Sequence, residues 1–170
     1  MTEDFRTEEL LFMVRKISLD LTAQIELCFK SENMSGMQAY FMVYILRHHP
    51  EGTYLTELSH EIGVSKSTLS ELIKKLREKG YLYFQENPCD VRKKKVLPTE
   101  KLKAEGNVFL QKAEEMESEI CSVFSGQEKA QFWKLEQKLL IQLSGMEHEK
   151  TKTDRRFIYR EKSFTTAQTV

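Results

Sequence analysis

Apolar residues recur at three- and four-residue steps through most of this chain, the spacing that lines one buried face of a helix. Over residues 8–30 the stripe is Leu10, Val14, Ile17, Leu21, Ile25 and Cys28, with polar and charged side chains between, and Thr7-Glu8-Glu9 is a suitable start. Residues 35–48 hold Met37, Ala39, Tyr40, Phe41, Val43, Tyr44, Ile45 and Leu46, so this helix is apolar nearly all round and belongs in the middle of the fold. Pro50-Glu51-Gly52 ends it. Next come a short helix, LTELSHEIG, and a second, SKSTLSELIKKLREKG, whose Leu69, Leu72, Ile73 and Leu76 share one face. Two strand-like runs, YLYFQE and RKKKVL, follow, joined by the turn residues NPCD. From 99 to 124, Leu102, Gly106, Phe109, Ala113, Met116, Ile120 and Val123 alternate four- and three-residue steps, a heptad seam. Residues 127–144 carry Phe132, Trp133, Leu135, Leu139, Leu140 and Leu143, and Gly145 is expected to close that helix.

The order helix, turn, helix, hairpin over residues 53–99 predicts a winged helix-turn-helix, in a chain that is mainly α with a small β-hairpin wing. Punctuation supports the register. Gly63 follows the last apolar residue of the first helix and can take the left-handed conformation that ends it. Ser65 stands where an N-cap side chain accepts from free amides, and Gly80 ends the second helix. Opposite the apolar stripe lie Ser67, Ser70, Lys74 and Arg77, a face that is small near its start and basic toward its end. Such a face suits a helix entering a major groove.

Charge sharpens this picture. The whole chain has 26 basic and 26 acidic residues and is neutral. Between Val64 and Leu97, however, nine lysines and arginines stand against four carboxylates, a net charge of +5. A cationic patch on a neutral molecule is the electrostatic footprint of phosphate binding. The bland alternative is a solvated basic hairpin that touches nothing.

Over LTELSHEIGVSKSTLSELIKKLREKGYL, and in the wing pattern Asp90-x-Arg92 followed by Val96-Leu97-Pro98-Thr99-Glu100-Lys101, the chain resembles the MarR family, the multiple antibiotic resistance regulators. The likeness is specific over residues 35 to 125 and weaker from 8 to 144. It implies a homodimeric bacterial transcription regulator, often a repressor, whose recognition helices read adjacent major grooves while wing arginines reach the minor groove. Members commonly respond to small molecules. Two positions depart from the family pattern: Pro98 stands where Leu is usual, and Glu71 where a basic residue is frequent.

On this reading Ser67, Thr68, Ser70 and Lys74 face bases or nearby phosphates, with Ser65 at the helix start. Lys66 and Lys75 hold phosphates, beside the basic run that includes Lys93 and Lys94. Arg92 enters the minor groove, steered by Asp90 accepting from its guanidinium or from loop amides. Residues 35–98 are expected to form the DNA-binding domain, with N- and C-terminal dimerisation helices in 1–34 and 99–145. Those helices carry more apolar surface than an already-cored module needs, which favours a two-fold dimer over an intramolecular three-helix bundle. Residues 146–170 lie outside the pattern; the first half is expected to be a linker, and the run Arg156–Arg160 has the aromatic content to dock, as strand or helix.

Other chemistries find little support. The sequence has no Gly-rich phosphate loop, HExxH, GxSxG or paired-cysteine metal motif, so neither an enzyme nor a cofactor is expected. His48 and His49 are adjacent on a helix and point apart, which makes them poor partners for one metal. There is no apolar run long enough to span a membrane, and three widely spaced cysteines suit a reducing cytoplasm. Cys28 and Cys121 fall on apolar seams and read as packing residues. Cys89, beside Asp90 in the wing, is expected to be exposed, with cationic neighbours favouring a thiolate. A redox-responsive regulator sensing through Cys89 and a winged-helix protein-interaction module are therefore the alternatives to a DNA-binding regulator. The aromatic and Met residues of 35–48 are read as core, with a lining for a small-molecule pocket as the second reading.

Overall fold

The computed structural model describes the backbone of residues 6–165 and the side chains of 6–90 and 92–147. The chain falls into two compact units, residues 1–118 and 119–170. Within the first, α1 (Thr7–Phe29) and α2 (Gly36–His48) precede a short strand β1 (Thr53–Tyr54), α3 (Leu55–Ile62), α4 (Lys66–Glu78) and the hairpin β2 (Leu82–Asn87) and β3 (Asp90–Pro98). The helix α5 (Glu100–Ile120) follows, then a 3-10 turn (Cys121–Val123) and α6 (Gly126–Thr165).

The core of the first unit forms around α2, as its apolar composition predicts. Met42, Val43 and Ile45 are buried with Leu58 of α3, Leu69, Ile73 and Leu76 of α4, Val96 of β3 and Leu102 of α5. A capping box opens α2: Ser35 Oγ accepts from the Gln38 amide at 3.1 Å, and Gln38 Oε1 accepts from the Ser35 amide at 3.3 Å. The Glu26 carboxylate of α1 accepts from the next two free amides, Gly36 at 2.9 Å and Met37 at 3.0 Å. This joins α1 to the positive end of α2. Gly36 is required by the crossing, because a Cβ there would stand 2.5 Å from both Glu26 Cα and the Ile25 carbonyl.

The sheet has the order β1-β3-β2, all antiparallel. Phe84 faces Val96 and Gln85 faces Lys95, with an irregularity between Glu86 and Asn87 near the tip. The hairpin was legible in the sequence, but β1 was not. It has two residues, Thr53 and Tyr54, paired with Val96 and Lys95, too few to show a two-residue period.

Two expectations change, and a third is met in part. The α5 seam is covered in part within the chain: Leu102, Gly106 and Ala113 are buried, Phe109, Met116 and Ile120 are half-buried, and a Cβ on Gly106 would lie 2.5 Å from Leu46 Cδ1 of α2. Tyr40 donates to Glu117 at 2.6 Å, and Arg47 donates to both oxygens of the same carboxylate at 2.8 and 2.9 Å. Burial is the largest influence on Glu117 and pushes its pKa up, but the Arg47 and Tyr40 hydrogen bonds outweigh it and hold the group below the usual range. Cys121 is exposed in the 3-10 turn rather than packed, because the α-helix has ended before it. Finally, Gly145 does not close a helix. α6 runs through it to Thr165, and no linker separates residues 146–165 from what precedes them. An exposed glycine weakens a helix by about 1 kcal/mol against alanine, which does not suffice to break a long one. The side chains of Arg156–Arg160 lie outside the described residues.

Much apolar surface stays uncovered in each unit. On α1, Leu10, Leu11, Phe12, Met13 and Val14 are exposed, and so are Ile17 and Leu21 of the expected stripe. On α6, Trp133, Leu140, Ile141 and Leu143 are exposed as well. Among the described residues no helix is long and apolar enough to cross a membrane.

Candidate nucleic-acid interface

The turn between α3 and α4 is set by local chemistry. Gly63 adopts φ 76°, Ser59 Oγ donates to the Val64 carbonyl at 2.7 Å, and Ser65 Oγ accepts from the Thr68 amide at 3.2 Å. Ser65 Oγ also lies 3.0 Å from Ser67 Oγ and 2.8 Å from Thr68 Oγ1, so the hydroxyls that open α4 form one cluster at its tip. Burial of Leu69, Ile73 and Leu76 then fixes the rotation of the helix. Lys66, Ser67, Thr68, Ser70, Lys74 and Lys75 are all exposed, as the sequence predicted.

The far end of α4 is held from two sides. Gly80, at φ 78°, lets the Gly80 amide donate to Arg77 and the Tyr81 amide donate to Leu76, both at 2.9 Å. Thr99 Oγ1 donates to the Gly80 carbonyl at 2.7 Å and caps α5, accepting from the Leu102 amide at 3.2 Å. Lys79 Nζ donates to Gln38 Oε1 at 3.0 Å and to the Asn33 carbonyl. The helix that presents the outward face is therefore tied to α2, to the turn before it and to the start of α5.

In the wing, Asn87 Oδ1 accepts from the Cys89 amide at 2.9 Å, and Asp90 Oδ1 accepts from the Arg92 amide at 3.0 Å. Of the two partners open to Asp90 from sequence, the structure shows the loop amide. Arg92, Lys93 and Lys94 are exposed, and so is Cys89. The Arg77 guanidinium lies 4.3 Å from the centre of the Phe84 ring, with Lys94 Nζ at 5.9 Å from it. These contacts link the end of α4 to the wing through one aromatic ring. Sequence reasoning missed this because Phe84 read only as strand composition.

Between the wing and the starts of α3 and α4 opens a groove of about 530 Å³, lined by Lys66, Arg92, Lys93 and Lys94 together with Glu57 and Asn87. It gathers four of the predicted cations. Ser70, Lys74 and Lys75 do not line it; they lie further along the outer face of α4. Away from this surface, His49 Nε2 is 2.6 Å from Glu61 Oε2, to which Tyr44 donates at 2.8 Å. The His49 contact, then the Tyr44 hydrogen bond, hold the Glu61 carboxyl below its usual range. Among the described residues no group of His, Cys, Asp and Glu could hold a metal ion.

A helix-turn-helix with an antiparallel wing and a cationic outward face defines the winged-helix class of nucleic-acid-binding folds. Within that class, residues 32–93 match the MarR family model. Solved structures share the fold over most of the chain. A MarR protein from Peptoclostridium difficile superposes with a TM-score of 0.70 at 22% identity, covering 84% of this chain and 92% of its own. MepR from S. aureus, solved as a DNA complex, gives 0.68 at 20% identity over 81% of this chain and 98% of its own. BpsR from Bordetella bronchiseptica, whose DNA binding is regulated by 6-hydroxynicotinic acid, gives 0.67 at 15% identity over 77% and 98%. No curated protein matches the sequence. Proteins of this family are transcription regulators rather than enzymes.

Proposed function

We propose that this protein is a cytoplasmic, homodimeric, sequence-specific DNA-binding transcription regulator that acts as a repressor on a pseudo-palindromic operator and answers to a small-molecule effector. The observation that carries the reading is the exposed polar face of α4 standing beside a groove lined by Lys66, Arg92, Lys93 and Lys94. Ser67, Thr68, Ser70 and Lys74 read bases or adjoining phosphates, Lys66 and Lys75 hold phosphates, and Ser65 orders the helix tip. Arg92 enters the minor groove from a loop whose shape Asp90 maintains through the Arg92 amide. Residues 35–98 make the DNA contacts. Dimerisation falls to 1–34 and 99–145, supported by the exposed apolar side chains of α1 and α6. Two recognition helices need centres roughly 34 Å apart, or a multiple of that, to meet one face of a duplex. An effector that fixes another spacing releases the DNA.

The test is binding of the purified protein to mixed duplex DNA at low salt, where counterion release favours association most. Retention is expected, and Arg92→Ala should weaken it and shallow the log-log salt slope by about 0.9, one phosphate's worth. No retention at low salt would sink the proposal, and an unchanged slope would remove Arg92 from it.

A further inference from the structure

Glu71 is the anomaly on the outward face of α4. At about 100° of rotation per residue, Ser67, Glu71 and Lys74 form the line directly opposite the buried stripe of Leu69, Ile73 and Leu76. Glu71 therefore sits at the centre of the surface that would face a duplex, and its side chain is 59% exposed. Its neighbour Lys75, one turn on, approaches at 3.8 Å, a loose pair with both partners in solvent. A carboxylate so placed beside a polyanion is repelled by phosphates and weakens binding unless the floor of the groove offers it a donor.

An ionised carboxylate only accepts hydrogen bonds. On the major-groove edge, guanine presents O6 and N7 and thymine presents O4, all acceptors that repel it. The donors there are the N4 amino group of cytosine and the N6 amino group of adenine. Each amino group has the partner base's carbonyl oxygen on one side; on the other, adenine sets its N7 acceptor whereas cytosine sets only its C5–H. Resting on the reading of α4 as the recognition helix, we propose that Glu71 is a specificity-determining residue that reads the N4 amino group of a cytosine. Each half-site then contains a C·G pair at one set position. The repulsion that Glu71 adds against guanine and thymine lowers binding to non-specific DNA and so widens discrimination.

The experiment is selection of duplexes from a random pool by the full-length wild-type protein and by Glu71→Gln and Glu71→Ala. The wild type should enrich one cytosine per half-site, with about 5- to 150-fold weaker binding when that base is replaced. Glu71→Gln, which carries both a donor and an acceptor, should move the preference at that position from cytosine to adenine, since glutamine pairs with N6 and N7 together. Glu71→Ala should lose the preference there and bind unrelated duplex more tightly than the wild type. Identical selected sequences for all three proteins, or a guanine or thymine preference that depends on Glu71, would overturn the proposal and leave the side chain as a surface partner of Lys75. Failure of the wild type to retain any duplex would instead refute the DNA-binding reading beneath it.

Discussion

Replacing Gly36 by alanine tests how the first two helices are joined. The added Cβ would lie 2.5 Å from Glu26 Cα, 2.5 Å from the Ile25 carbonyl oxygen and 2.9 Å from the Glu26 amide nitrogen. All three are backbone atoms, so no side-chain rotation relieves the clash and α1 itself must move. Overpacking of this kind costs about 1–3 kcal/mol. Moving α1 also lengthens the bonds from the Glu26 carboxylate to the Gly36 and Met37 amides, and bonds to a charged group are worth about 1.5–3 kcal/mol each. Losing part of that second contribution puts the total at about 3 kcal/mol. For a chain of this size that is a fall in Tm of about 6–12 °C. The assay is thermal unfolding followed by circular dichroism, with wild type and variant at one protomer concentration so that the proposed dimerisation weighs equally on both. Gly63→Ala is the control. It has nothing within 4 Å of a built Cβ and carries only the strain of φ +76°, about 1–2 kcal/mol. A loss below about 1 kcal/mol for Gly36→Ala, or one no larger than that of Gly63→Ala, would show that the crossing relaxes and that the close approach is not a constraint.

Gly145 lies inside α6 with nothing within 4 Å of a Cβ position, so Gly145→Ala should stabilise the protein by about 1 kcal/mol in urea denaturation; destabilisation would contradict an unbroken helix there. Tyr44 should ionise at about 12, raised from 10.0 by burial first and then by its hydrogen bond to Glu61 and the charge of that carboxylate. The contribution of the neutral phenol to stability is thus present below pH 10 and lost as pH rises toward 12, and the absorbance component at 295 nm that Tyr44→Phe removes should titrate late; titration at the ordinary value would refute the contact. Glu61 carries the opposite sign. Its folded pKa lies below the ordinary 4.5, through the His49 hydrogen bond and then that of Tyr44, so its contribution holds above pH 4.5 and is lost as pH falls through the depressed value. Glu61→Gln should accordingly flatten the acid limb of stability against pH.

Short-range physics accounts for the features that could be read from the order of residues. The buried stripe of α4, its outward serines and lysine, the cap at Ser65, the left-handed Gly63 and the helix end at Gly80 all follow from rules that span four or five residues, and all stand in the structure. Which surface each seam meets is settled by the packing of segments remote in sequence. A heptad pattern on α5 says that something covers Gly106, but only the path of the distant α2 makes that cover Leu46 of the same chain. The same holds for β1, which exists because β3 offers it a free edge. It holds too for the Arg77 and Phe84 contact and for the groove that collects Lys66 with three wing cations from the far side of the hairpin. Periodicity and capping are local free energies, fixed residue by residue along the chain, whereas the identity of a contact partner depends on how loops return segments that are remote in sequence.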